Sequence, residues 1–205
     1  MLTKKIIAAA VTGGLLFAAP AAQAKQHKKD TTVKATVALG AKKTVKAKAA
    51  AVPCTNTDVM PTAQNVELVR AAILCLHNQI RAEKGLPLLK ENAKLRKAAA
   101  GHSATMVNEG FFDHTAPDGT TFVDRILSAG YAKRNDGWTL GENLAWGTGD
   151  LSSANGVMNA WMNSAGHKAN IVKKAYREVG IGIRLGVPSD EGVGATITAD
   201  FGVKL

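Results

Sequence analysis

The apolar positions of the chain repeat with a helical period at first and with a period of two later. In residues 62–84 the apolar side chains recur every three or four positions, which predicts a helix that ends before Gly85 and Pro87. These apolar residues are Val66, Val69, Ile73, Leu76 and Ile80. Residues 92–110 repeat the pattern and predict a second helix, for which Gly110 is a natural C-terminal stop.

Shorter elements follow. Thr121 with Asp124 three residues later is a capping signal and predicts a short third helix. Residues 139–146 are predicted to form a strand and residues 152–163 another helix. Two strands, 178–185 and 194–203, close the chain and are joined by a turn that contains Pro188 and Gly192. The order predicts an α+β fold in which helices pack on a small antiparallel sheet.

The first 24 residues have the pattern of a secretory signal peptide. Lys4 and Lys5 precede an apolar stretch over residues 6–19, and the small-residue sequence Ala22-Gln23-Ala24 is typical of a cleavage site. A transmembrane anchor is the alternative, but the stretch is short and contains two glycines. The mature protein is therefore expected to be secreted, extracellular or associated with the cell wall, after cleavage behind Ala24.

Residues 25–52 form a basic linker rich in lysine and alanine. The linker contains eight lysines, a single acidic residue and no aromatic residue, so it accounts for most of the formal net charge of +10. Such a composition predicts disorder. The linker is a spacer in the simplest interpretation, and it is also suited to weak binding of an anionic cell-wall polymer or a membrane surface. Because export separates the protein from nucleic acid, no nucleic-acid partner is expected.

Residues 53–205 have the length of one domain, which we expect to be a monomer. Its two cysteines, Cys54 and Cys75, lie in an exported chain, so a disulfide is the default prediction. The bridge would stabilise the domain by about 3 kcal/mol in the chain-entropy model. A catalytic thiol is the weaker alternative.

Three ionisable residues interrupt patterns that are otherwise structural: His114, Glu142 and His167. Two imidazoles and a carboxylate suit a divalent metal such as zinc with water in the open positions, and they also suit a proton carrier. His102 is a minor candidate at the second helix. Arg125 is expected to pair with Asp113 or Asp124 at the surface.

The segments HTAPDG, GENLAWGTGD and WMNSAGHKANI, followed by EVGIGI, resemble the motifs of the CAP superfamily, most closely its bacterial secreted branch. The resemblance covers about residues 65–203 and implies a three-layer α-β-α sandwich with a central cleft. In that family two histidines and two glutamates line the cleft. His114, Glu142 and His167 match three of them, and Ser164 stands where longer members have the second glutamate.

The resemblance implies a binding module whose cleft holds a divalent metal, a lipid or a protein ligand. The alternative is a hydrolase of peptide or cell-wall substrates, with a metal-bound water or with Ser164 activated by His167. The sequence has neither a nucleophile-elbow motif nor an H-E-x-x-H motif, which favours binding over catalysis. A third interpretation is that His114, Glu142 and His167 form a hydrogen-bond network that only joins three loops.

Overall fold

The helices and strands follow the order expected from the sequence, with two additional strands, one additional α-helix and a 3₁₀ turn. The structure, a computed structural model, describes residues 6–13, 53–189 and 192–205. Its elements are β1 (Ile6–Gly13), α1 (Val66–Glu83), β2 (Lys90–Glu91), α2 (Ala93–Glu109), α3 (Phe122–Ser128), β3 (Trp138–Thr148), a 3₁₀ turn (Gly149–Ser152), α4 (Ala154–Met162), α5 (Ala165–Ile171), β4 (Glu178–Leu185) and β5 (Gly194–Lys204). The basic linker at residues 25–52 and the cleavage site at Ala24 lie outside the described residues. None of the described helices is both long and apolar enough to span a membrane.

Local capping explains where the helices of the first half begin and end. The Asn92 side chain accepts hydrogen bonds from the backbone nitrogens of Lys94 and Leu95 at the start of α2. Gly110 ends that helix in the left-handed conformation, with φ at 67°. Thr121 and Asp124 cap each other reciprocally at the start of α3, as the sequence predicts.

The strands form one sheet in the order β1-β3-β5-β4-β2. Neighbouring strands are antiparallel except β2 and β4, which pair in parallel over two residues. The α+β class is confirmed, and β2 makes the sheet mixed rather than wholly antiparallel. This short strand forms because the segment between α1 and α2 passes the free edge of β4, where the Lys90 nitrogen donates to the Arg177 carbonyl at 2.9 Å.

β1 lies within the predicted signal peptide and pairs with the outer edge of β3. The register runs from Ile6 opposite Gly147 to Gly13 opposite Leu140. If export removes residues 1–24, as the sequence predicts, β3 loses this neighbour and becomes the edge strand of the sheet.

Helices cover both faces of the sheet and produce two hydrophobic cores, which confirms the three-layer sandwich. The larger core joins α1, α4 and α5 to the face of the sheet that carries Ile181 and Ile197. The smaller core joins α2 and α3 to Leu140 on the opposite face. The helix α5 has no counterpart in the sequence prediction, because seven residues are too few to show a helical period.

Two glycines let α2 lie directly against the sheet. A Cβ atom at Gly180 would overlap the backbone of Arg96, and one at Gly182 would overlap the backbone of Ala100. Because both glycines stand in β4, any larger residue there would push α2 away from the sheet.

The predicted disulfide between Cys54 and Cys75 is confirmed. It ties the segment that enters the domain to the middle of α1.

Arg81 is a buried cation at the end of α1 that hydrogen-bonds four backbone carbonyls. Its guanidinium donates to the carbonyl oxygens of Pro87, Ile171, Lys173 and Tyr176 at 2.8–3.0 Å. The side chain is completely buried. Arg81 thereby joins α1 to the segment between α5 and β4.

We expect Arg81→Ala to lower the free energy of unfolding by about 4 kcal/mol, because four carbonyls lose their donor in a buried region. Urea unfolding of the mature chain measures this change. The matched control is Arg184→Ala at an exposed position, where the effect should stay within about 0.5 kcal/mol. Equal stabilities for the two variants would contradict the structural role of Arg81.

Candidate functional site

Glu142 is a fully buried carboxylate in the middle of β3. Successive side chains of a strand point to opposite faces of the sheet. Leu140 belongs to the core beneath α2 and α3, so Glu142, two residues later, faces the same layer. Asn143 faces the other layer, where its side chain donates to the carbonyl of His167 in α5 at 3.1 Å.

Two side chains bind the two oxygens of Glu142. The Nδ1 atom of His114 donates to Oε1 at 2.8 Å, and the Nη2 atom of Arg125 donates to Oε2 at 2.8 Å. His114 lies in the loop between α2 and α3, and Arg125 lies in α3. The site therefore joins the α2–α3 layer to the sheet through one charged group.

The expected surface pairing of Arg125 is wrong. Asp124 caps Thr121 and pairs with Arg134, whereas Arg125 turns inward. Besides Glu142, Arg125 donates to the carbonyl of Thr120 at 3.0 Å and to that of His114 at 2.9 Å. A buried carboxylate needs a compensating charge, and Arg125 is the cation on this side of the sheet that reaches it.

The environment keeps Glu142 ionised. Burial by itself would raise the pKa of Glu142, but the hydrogen bond from His114 and the charge of Arg125 outweigh burial, and the pKa is lowered. Glu142 is thus a fixed negative charge at neutral pH.

His102 borders the site from α2. Its Nε2 atom lies 2.9 Å from the carbonyl oxygen of Asp113 and donates to it. Burial lowers the pKa of His102, and the nearby charge of Glu142 offsets only part of that effect. His102 is therefore neutral at physiological pH and contributes an uncharged ring.

Asp200 is the group at this site that sequence reasoning missed. It stands opposite Glu142 in the pairing of β3 with β5 and is fully buried. A signal for it exists in the sequence TITADFG, where one carboxylate interrupts an apolar strand, as Glu142 interrupts GENLAW. We refer to Glu142, His114, Arg125, His102 and Asp200 together as the Glu142 site.

His167 does not join His114 and Glu142. Its ring stacks on Trp161 with centroids 6.4 Å apart, and its helix, α5, packs on the other side of the sheet. Trp161 is buried and its Nε1 atom donates to the carbonyl of Leu144 at 2.9 Å, so it is a core residue. Ser164 is the N-cap residue of α5, and its carbonyl accepts a hydrogen bond from the backbone nitrogen of Lys168.

The residues at this site do not fit a resident divalent metal. Both oxygens of Glu142 bind other side chains, and the guanidinium of Arg125 would repel a cation at the same carboxylate. Across residues 53–189 and 192–205, no three His, Cys, Asp or Glu side chains are grouped closely enough to hold a metal ion. The site is instead an ion pair with an imidazole bound to its anion.

Comparison with known proteins identifies the family to which this chain belongs. The model of the cysteine-rich secretory protein family, CAP, matches residues 74–194, more than half of the chain, so the chain belongs to this family. The chain is also 31% identical, over 118 residues, to the uncharacterized protein YkwD of Bacillus subtilis (strain 168). That match covers 58% of this chain and 43% of YkwD.

Solved structures share the fold. An extracellular protein containing an SCP domain from Bacillus anthracis str. Ames matches with a TM-score of 0.54 at 26% identity, over 69% of this chain and 43% of that chain. An outer surface protein from Borrelia burgdorferi matches with a TM-score of 0.56 at 20% identity, over 71% of this chain and 97% of that chain. The chain thus spans less than half the length of the two Bacillus relatives.

We expect Glu142→Gln to lower the free energy of unfolding by about 3 kcal/mol at pH 7, because Arg125 loses its anion in a buried site. A carboxyl with a lowered pKa stabilises the fold above its unfolded pKa of about 4.3 and loses that effect as pH falls through the folded value. The difference in free energy of unfolding between Glu142→Gln and wild type should therefore shrink from pH 5 towards pH 3.

Urea unfolding across this pH range measures the difference. Glu109→Gln, at an exposed position at the end of α2, is the matched control and should change little. A deficit in Glu142→Gln that is the same at pH 3 and pH 7 would show that the carboxylate charge is not what stabilises the site.

Proposed function

We propose that this CAP domain is a binding module of the cell surface that does not catalyse a reaction. Its ligand is a slender apolar group with an anionic head, such as a fatty acid or the acyl chain of a lipid. The observation that carries the proposal is an open pocket of about 350 Å³ between α2 and α3, directly outside the Glu142 site.

The accessible surface of this α2–α3 pocket is mostly apolar, although most of the residues that line it are polar or charged. Small residues form the walls: Ala98, Gly101, Ala116 and Ala129. The polar and charged residues of the lining are Lys97, His102, Thr105, Asp118, Thr120, Arg125 and Ser128. An apolar surface with polar groups around it suits a ligand that has an apolar chain and a polar head, and the exposed cation Lys97 suits an anionic head group.

Gly101 supports a binding role because the fold gives no packing reason for it. It lies in the interior of α2, where glycine costs about 1 kcal/mol relative to alanine. An added Cβ atom there would meet no atom within 4 Å, unlike the crowded Gly180 and Gly182. A side chain at position 101 would occupy the pocket, so glycine keeps this space open.

The Glu142 site supports binding rather than hydrolysis. Glu142 is buried and both of its oxygens accept hydrogen bonds, so it is not free to act as a base towards a substrate. Arg125 belongs to this site and also lines the pocket. We assign the site the role of fixing α3 and the loop of His114, which together form one wall of the pocket.

The extracellular relative from Bacillus anthracis and the predicted signal peptide support a location outside the cell. The basic linker at residues 25–52 would then hold the domain near anionic wall polymers or lipid headgroups.

Replacing Gly101 tests the pocket. We expect Gly101→Leu to abolish binding of palmitate, measured by calorimetry on the mature chain, because the leucine side chain projects into the pocket and leaves too little room for the acyl chain. Stability should be kept or should rise by up to about 1 kcal/mol, since leucine is the better helix former. The matched control is Ala100→Leu on the exposed side of the same helix, which should bind palmitate like the wild type.

Two outcomes would overturn the proposal. Equal palmitate binding in Gly101→Leu and wild type would place the ligand elsewhere, and absence of binding in the wild type would exclude this ligand class. Release of products from labelled peptidoglycan or casein by wild type, but not by a folded Glu142→Gln variant, would establish catalysis instead.

A further inference from the structure

We infer that the side chain of Asp200 is a neutral carboxylic acid that donates a hydrogen bond to Glu142 and so positions the carboxylate that binds His114 and Arg125. This role of Asp200 belongs to the Glu142 site itself and does not depend on a ligand in the α2–α3 pocket.

The sheet places the two carboxyl groups side by side. Glu142 of β3 and Asp200 of β5 are directly opposed in register, and both are fully buried. Directly opposed residues of antiparallel strands have Cβ atoms about 4.5–5.5 Å apart, so the two carboxyl groups can reach one another. Side chains of directly opposed residues lie on the same face of a sheet, so Asp200 also points into the layer of α2 and α3.

Among the described residues, no N–H or O–H group donates to either oxygen of Asp200. On its other side, Asp200 is paired with Gly180 of β4, which has no side chain. The hydroxyl of Thr198, two residues earlier on the same face of β5, does not serve it, because the Ser103 and Thr198 hydroxyls lie 2.8 Å apart and bond to each other. The carboxylate of Glu142 is thus the available partner, and a carboxylate can only accept.

Two carboxyl groups in contact satisfy each other only if one of them carries a proton. Glu142 accepts from His114 and Arg125, so it is the anion, and the proton belongs to Asp200. Burial and the charge of Glu142 both raise the pKa of Asp200 well above its ordinary value, and the charge of Arg125 opposes them only in part.

The charged and titratable groups around the Glu142–Asp200 pair come from each neighbouring element. They are Glu142 from β3, Arg125 from α3, His102 from α2 and His114 from the following loop. Arg125 already pairs with Glu142. An ionised Asp200 would add a second buried anion beside Glu142, and this would weaken the contacts that hold His114 and Arg125.

The neutral acid can be detected directly by infrared spectroscopy of the folded mature chain. At pH 7 the wild type should show the C=O band of a protonated carboxylic acid, and labelling aspartate with ¹³C at the side-chain carboxyl should shift that band. Asp200→Asn should lack the band. A wild-type spectrum with no protonated acid, or a band that the label does not shift, would overturn the inference even if no variant folds.

The pH dependence of stability gives a second readout. For Asp200 this dependence has the opposite sign to the one expected for Glu142. A carboxyl with a raised pKa destabilises the fold as pH rises above its unfolded value of about 3.9, until the folded group ionises. Asparagine can donate the same hydrogen bond without ionising. The unfolding constant of wild type divided by that of Asp200→Asn should therefore increase by up to about tenfold per pH unit above pH 5.

Asp200→Ala separates positioning from loss of charge, because alanine cannot donate to Glu142. The ring nitrogens of His114, followed by ¹⁵N NMR, should keep their wild-type shifts in Asp200→Asn and change in Asp200→Ala. A ratio of unfolding constants that is independent of pH would show that Asp200 does not hold the proton. Equal ¹⁵N shifts of His114 in all three proteins would show that Asp200 does not position the site.

Discussion

The structure depends on one buried ion pair, in which Glu142 of β3 holds Arg125 of α3. A carboxylate without exposed surface is stable only if a cation and hydrogen-bond donors surround it, so the α2–α3 layer must stay close to the sheet. The hydrogen bond from His114 fixes the connecting loop to the same carboxylate. On the other face, Arg81 has a comparable role, because it joins α1 to the chain before β4 through backbone carbonyls.

Periodicity and capping residues predicted most of the fold. The capping pair Thr121 and Asp124, and the stop at Gly110, are confirmed, and strand β4 has the predicted bounds. Periodicity failed where elements are too short to show it, as in α5 and the two-residue β2. It also could not reveal that Ile6–Gly13 pairs as a strand, since an apolar run in a signal sequence has no alternating pattern that distinguishes it from other apolar segments.

The site was predictable in part. Motif resemblance identified Glu142 and His114, which the structure brings into contact. It could not reveal that His167 lies across the sheet, because neighbouring residues of β3 point to opposite faces and the sequence does not say which face each loop covers. Arg125 was assigned the wrong partner and Asp200 escaped notice, because the partner of both, Glu142, is distant in sequence. Their roles follow from strand register and from the need of a buried charge for a counterion.

The attachment of the α2–α3 layer to the sheet depends on the coupling between Glu142 and Arg125, which a double-mutant cycle measures. Unfolding free energies of the wild type, Glu142→Gln, Arg125→Met and the double variant at pH 7 give the interaction energy. We predict a favourable coupling of about 2–3 kcal/mol. The double variant should therefore lose less stability than the sum of the losses in the two single variants. A coupling near zero would contradict the account, because it would show that the two side chains stabilise the fold independently.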